Sequence, residues 1–138
     1  MQTDKENLIV QLSFDFALLI VDFTTNLQHI RQFSLANQLF RSGTSIGANI
    51  REAQNAESKA DFIHKMKIAA KETSETLYWL ILCERSESYK FDKKLKEQLD
   101  EINRILSKII SSAKGGLGSF IWSALLAFSN FQIFKLTN

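Results

Sequence analysis

Residues 38–58, Q-L-F-R-S-G-T-S-I-G-A-N-I-R-E-A-Q-N-A-E-S, decide the fold. Around and within them apolar side chains recur at Leu35, Leu39, Ile46, Ile50 and Ala53, in steps of 4, 7, 4 and 3, which keep one helical face continuous. Ser42 and Gly43 fill the gap in that face, and Gly47 follows Gly43 by one helical turn with Ala48 beside it. A glycine inside a helix costs roughly 1 kcal/mol relative to alanine, so two at this spacing point to close approach of another backbone. Asn49 and Glu52 set polar groups three apart beside the same seam, where they are neighbours on a helix surface. The stretch reads as a tightly packed helix carrying a small polar network.

Gly-Thr-Ser-Ile-Gly also invites comparison with a phosphate-cradling loop. It lacks the Gly-Lys-Ser/Thr ending of a P-loop, no strand pattern precedes it, and the third glycine of a dinucleotide fingerprint is missing, so the helical reading is preferred.

Upstream, Thr3 and Glu6 have the spacing of a capping box, and a first helix is expected from there. Its stripe reads Leu8, Leu12, Phe16, Leu19, Phe23, Leu27 and Ile30, with Ile9, Phe14, Leu18, Ile20 and Val21 lying off it. A helix apolar over most of its circumference is expected to meet something on both flanks. Gln32-Phe33-Ser34 reads as a short connection with Ser34 as N-cap. Downstream, Ser58-Lys59-Ala60-Asp61 offers a fresh cap, and a third helix over 59–85 carries Phe62, Met66, Ala69, Thr73, Thr76, Leu80 and Cys83 in alternating steps of four and three, a coiled-coil-like seam. Its small central residues predict a close fit against Gly43 and Gly47. Asp92 is the expected cap of a fourth helix, one-sidedly apolar through Leu95, Leu99, Ile102, Leu106 and Ile109.

These patterns predict an all-α chain, an up-down-up-down antiparallel four-helix bundle over 1–114 followed by a Gly-rich hinge and apolar tail over 115–138. No proline and only five glycines among 138 residues suit long uninterrupted helices. Residues 120–134 carry no charge but are shorter than the ~20 needed to span a bilayer. Ile121, Leu125 and Phe128 would share one face of a short amphipathic helix packed on the bundle or on a partner; a segment with no selected role is the other reading.

The net charge of +2 does not by itself announce nucleic-acid binding. The single cysteine, Cys83, excludes an internal disulfide framework, and a polar N-terminus without signal-peptide shape leads to a cytoplasmic expectation. His29 and His64 sit on different helices without a second ligand one turn away, so no metal or other cofactor is expected. Glu52, Glu72 and Glu75 lack the Glu-x-x-His pairs of di-iron bundles; with Asn49 and Lys71 they are expected to form the structural polar network. Tyr78 and Trp79 are read first as packing. Lys59, Lys65, Lys67 and Lys71 crowd one third of the third helix, which suits a solvated face and a phosphate-binding face equally.

Gln38-Leu39-Phe40-Arg41-Ser42 and Ser45-Ile46-Gly47-Ala48-Asn49-Ile50-Arg51-Glu52-Ala53 strongly resemble the four-helix-bundle family of 23S rRNA intervening-sequence proteins. So do Phe62-Ile63-His64-Lys65-Met66-Lys67-Ile68-Ala69, Lys71-Glu72, Glu75-Thr76 and Tyr78-Trp79-Leu80, and the likeness extends over 4–112. The accessory variability protein of diversity-generating retroelements is related to the same family. The resemblance implies a homo-oligomer, typically a pentameric ring, with RNA or a reverse transcriptase as partner. It brings no catalytic residue, small-molecule substrate or membrane span. On that basis Arg41, Arg51, Lys59, Lys65, Lys67, Lys93, Lys94 and Lys108 are the candidate nucleic-acid contacts. A protein-interacting scaffold whose lysines only solubilise it is the alternative.

Overall fold

The computed structural model describes residues 7–115, which form four helices and, among the described residues, no strand: α1 (Leu8–His29), α2 (Phe33–Ala53), α3 (Lys59–Arg85) and α4 (Lys94–Lys114). Each helix packs on its neighbours in sequence, and α1 against α4 closes the ring. Cross-helix bonds fix the directions. Asn7 before α1 donates to Gln54 after α2 at 2.8 Å, and Lys96 early in α4 meets Glu84 late in α3 at 2.7 Å. The all-α four-helix bundle expected from the spacing is therefore the fold.

The core follows the apolar spacing closely in α3 and α4. Met66, Ala69, Thr73, Thr76, Leu80 and Cys83 are buried, with Phe62 half-buried at the head of the seam. Leu95, Leu99, Ile102 and Leu106 are buried in α4, and Ile109 packs at their edge. Fully burying one such aliphatic side chain contributes about 1.5–3 kcal/mol, so these stripes fix the rotation of both helices.

α1 is phased differently from its expected stripe. Phe16, Phe23 and Leu27 are buried as expected, but so are Ile9 and Ile20, while Leu8 and Ile30 are exposed and Leu12 and Leu19 only half-buried. A helix apolar nearly all round gives periodicity nothing to phase against. By length and hydropathy α1 would pass as a membrane-crossing helix, yet Phe16 and Ile20 are wholly enclosed by the bundle.

What sets the phase is α2. A Cβ on Gly43 would lie 2.8 Å from Ile20 Cγ1, and one on Gly47 would lie 3.3 Å from the Ser13 carbonyl oxygen. Both glycines therefore admit α1, not α3 as their spacing against Ala69, Thr73 and Thr76 implies. The α2–α3 contact rests instead on a buried hydrogen bond, Thr76 Oγ1 to Ser42 Oγ at 3.0 Å.

The connections are short. Ser58 caps α3 by accepting from the Asp61 amide at 3.0 Å, and Asp92 Oδ1 accepts from the Lys94 amide at 2.9 Å ahead of α4. Ser34 is not the cap of α2, which begins at Phe33 after Gln32. The reason lies in how α1 ends. Gln32 N–H donates to Leu27 at 2.8 Å and Arg31 N–H to Gln28 at 2.9 Å, with Arg31 at φ 64°, a Schellman closure that leaves Phe33 free to start the next helix. The Thr3–Glu6 capping box and the tail from residue 116 onward lie outside the described residues.

Gly43→Ala is expected to destabilise the bundle. The new methyl meets a β-branched side chain that is stiff in a helix, and overpacking of about 1–3 kcal/mol outweighs a propensity gain of roughly 1 kcal/mol. Gly47→Ala, with its looser approach, should lose less. Urea unfolding of both variants measures the order, and a Gly43→Ala protein at least as stable as the parent contradicts the packing described.

Candidate functional site

α3 is the longest helix, with 27 residues, and its polar side chains divide between its flanks and its outer face. Asp61 in the first turn accepts from the Glu57 amide at 3.2 Å, and the later acids turn to the flanks and are neutralised there. Arg41 of α2 bridges Glu75 and, at 3.5 Å, Glu72. Trp79 Nε1 donates to the same Glu75 at 3.4 Å. On the other flank Lys96 of α4 holds Glu84. The Arg41 guanidinium keeps the Glu75 carboxyl below the usual carboxylate range, and hydrogen bonding to Lys96 does the same for Glu84.

The polar network expected from sequence is divided into separate pieces. Glu72 and Glu75 join through Arg41. Glu52 pairs instead with Lys65 at 2.6 Å, which raises the lysine's pKa. Asn49 spends its side-chain amide on its own helix, donating to the Ser45 carbonyl at 2.8 Å, because its position on the flank of α2 brings that oxygen within reach one turn back. Lys71 points outward and is exposed.

The candidate cations are likewise dispersed. Arg41 and Lys65 are engaged in ion pairs. Arg51 and Lys59 stand at the end of the bundle where α2 passes into α3, Lys93 and Lys94 at the opposite end where α4 begins, and Lys108 in the second half of α4. Of these candidates, only Lys67 lies mid-helix on the outer face of α3.

That outer face holds a row that the apolar spacing does not reveal. Lys67, Lys71, Tyr78, Leu82 and Arg85 are all exposed there, with steps of 4, 7, 4 and 3, and His64 continues the line toward the helix start. No acidic residue falls on it, because Glu72, Glu75 and Glu84 occupy the flanks. Tyr78, 59% exposed, packs edge-on against Trp79 with ring centroids 5.0 Å apart, and Trp79 is held in turn by Glu75. The signal in the sequence is this spacing, obscured because Lys71 reads as one of the network with the carboxylates beside it.

Elsewhere the chemistry is sparse. Cys83 is fully buried, and burial pushes its thiol up to about 11, which leaves it unreactive at neutral pH. His29 and His64 are exposed on separate helices. A shallow groove between α1 and α2 is lined by Phe14, Ala17, Thr44, Gly47 and Arg51 among others.

Residues 5–109 match the family described as 23S rRNA-intervening sequence protein. Among solved structures, the chain is similar to a protein with unknown function from the S23 ribosomal protein family of Bacteroides thetaiotaomicron VPI-5482. The two are 43% identical with a TM-score of 0.72, over 75% of this chain and 98% of that one. No curated protein matches the chain.

The Arg41 clamp generates a pH dependence. A carboxyl whose folded pKa is depressed contributes stability that is present above its unfolded value, ~4.3 for glutamate, and lost as pH falls through the folded one. Arg41→Met should therefore lower the urea midpoint at pH 7, and its deficit against the parent should shrink as pH drops below that value. A deficit unchanged between about pH 7 and pH 3 would show that the guanidinium contributes through packing alone.

Proposed function

The chain belongs to the 23S rRNA-intervening sequence protein family, and on that footing we propose that it is a non-catalytic helical-bundle assembly protein that associates with RNA. The observation that carries this is the outer face of α3, where Lys67, Lys71 and Arg85 line up while Glu72, Glu75 and Glu84 are bonded toward the neighbouring helices by Arg41 and Lys96. From Lys67 to Arg85 is 18 residues, about 27 Å of helix. A row of cations that long meets several successive phosphates, and counterion release supplies the affinity. Tyr78, held by Trp79 between Lys71 and Arg85, offers a ring on which a base stacks, worth about 1–3 kcal/mol.

Self-association belongs to the same proposal. One copy with a net charge of +2 presents a weak field, whereas a ring, five copies in the form the sequence resemblance implies, repeats the α3 face and gains by multivalency. Leu8 and Ile30, exposed on the flank of α1 that also bears Leu12 and Leu19, are apolar surface suited to such contacts. A cytoplasmic setting fits the one buried thiol. The second reading is a protein-interaction scaffold, with a reverse transcriptase as the partner suggested by the retroelement relationship; the exposed Tyr78 and Leu82 would then be its contact.

A fluorescence titration of the full chain with structured RNA across a salt series tests the proposal. Affinity is expected to fall steeply with salt, and Lys67→Ala/Lys71→Ala/Arg85→Ala is expected to flatten the log–log slope by about 2–3, near one for each phosphate no longer neutralised. Lys93→Ala/Lys94→Ala should change it less. Negligible binding at low salt favours the scaffold. Light scattering checks the assembly, and the mass of a single chain at micromolar concentration overturns that part.

A further inference from the structure

The face formed jointly by α1 and α2 is uncovered in the four-helix bundle. Phe14 (50% exposed), Leu18 (52%) and Val21 (39%) follow one another on α1, and Phe33 (53%) and Phe40 (49%) run alongside on α2. Between them lies the groove floored by Ala17 and Gly47, where small residues leave room for side chains of a third element. The face carries almost no charge. Asp15 and Asp22 border it beyond Leu18, on the side of α1 away from α2, Arg41 is turned toward α3 by Glu72 and Glu75, and Arg51 closes one end. A contiguous patch of large apolar side chains without charge marks a surface that something covers.

We propose that this face is the docking site of the chain's own C-terminal segment, residues 120–134. That segment, F-I-W-S-A-L-L-A-F-S-N-F-Q-I-F, has no charged residue in fifteen, the complement an uncharged groove requires. Its point of departure also fits. Phe91, just before α4, packs edge-on against Phe23 in the last third of α1 with centroids 6.1 Å apart. Because α4 is antiparallel to α1 and of nearly equal length, 21 against 22 residues, the chain leaves Lys114 beside the start of α1.

Residues 115–119 reach about 17 Å when extended, enough to pass over one helix about 10 Å wide. Fifteen residues taken as a helix cover about 22 Å, the same length of α2 as separates Phe33 from Ala48. Ile121, Leu125 and Phe128 then enter the groove while Ser123 and Asn130 face water. This inference is independent of RNA binding, which uses the outer face of α3.

Disulfide trapping in the full chain tests it, since buried Cys83 does not compete. Ala48→Cys combined with Ile121→Cys should form a bridge within one chain at least tenfold faster than the control pair Lys108→Cys with Ile121→Cys, read as monomer mass on a non-reducing gel. Adding Leu18→Asp, at a half-exposed position that leaves the helical circular dichroism unchanged, should slow trapping at least tenfold. Bridges between chains, which would assign the face to a second copy, or equal rates in both pairs, overturn the proposal.

Discussion

The contact on which the rest depends is the approach of α1 to α2 at Gly43 and Gly47. With no Cβ on either residue, the Ile20 side chain and the Ser13 backbone settle against the α2 backbone. That seating fixes which of α1's many apolar residues go inward. Once Phe16, Ile20, Phe23 and Leu27 face the centre, Phe14, Leu18 and Val21 are forced outward, whatever their hydrophobicity. The core and the uncovered face are two consequences of one close approach.

On the other side of α2 the logic is polar. A buried hydroxyl pair, Ser42 with Thr76, sets the register against α3, and Arg41 reaches two carboxylates one turn apart. A buried hydroxyl without a partner is costly, so this pairing tolerates little sliding of α3 along α2. Holding Glu72 and Glu75 toward α2 while Lys96 draws Glu84 toward α4 has an electrostatic effect beyond stability. It draws negative charge to the flanks of α3 and leaves the cations in a row along its outer face, Lys71 and Arg85 still within reach of Glu75 and Glu84. A chain with a small overall charge can thereby present a distinctly basic surface.

Much of this is legible in the residues themselves. The four helices, their order, the span of α3 and the cap at Ser58 follow from spacing and capping chemistry, because α3 and α4 each carry a regular seam and short connections permit only antiparallel neighbours. At α4 the cap position is Lys93, with Asp92 accepting from the Lys94 amide one residue further out. The family follows from residues 38–53 and 62–80, where the polar positions are as particular as the apolar ones. What periodicity could not supply was rotation of α1, since a helix apolar on most sides has several equivalent faces, and only the shape of its neighbour selects one.

The candidate surfaces show the same division. Sequence identifies the cations, but it does not say which are spent on partners. Arg41 and Lys65 look available along the chain, yet the packing of α2 on α3 brings Glu75 to the first and Glu52 to the second. Lys71 looks like part of a network, yet the fold turns it outward. Charge and hydropathy along the chain therefore determined that this is a helical bundle with basic and apolar surface to spare. Tertiary structure decided where that surface lies, because pairing and burial depend on which helix faces which.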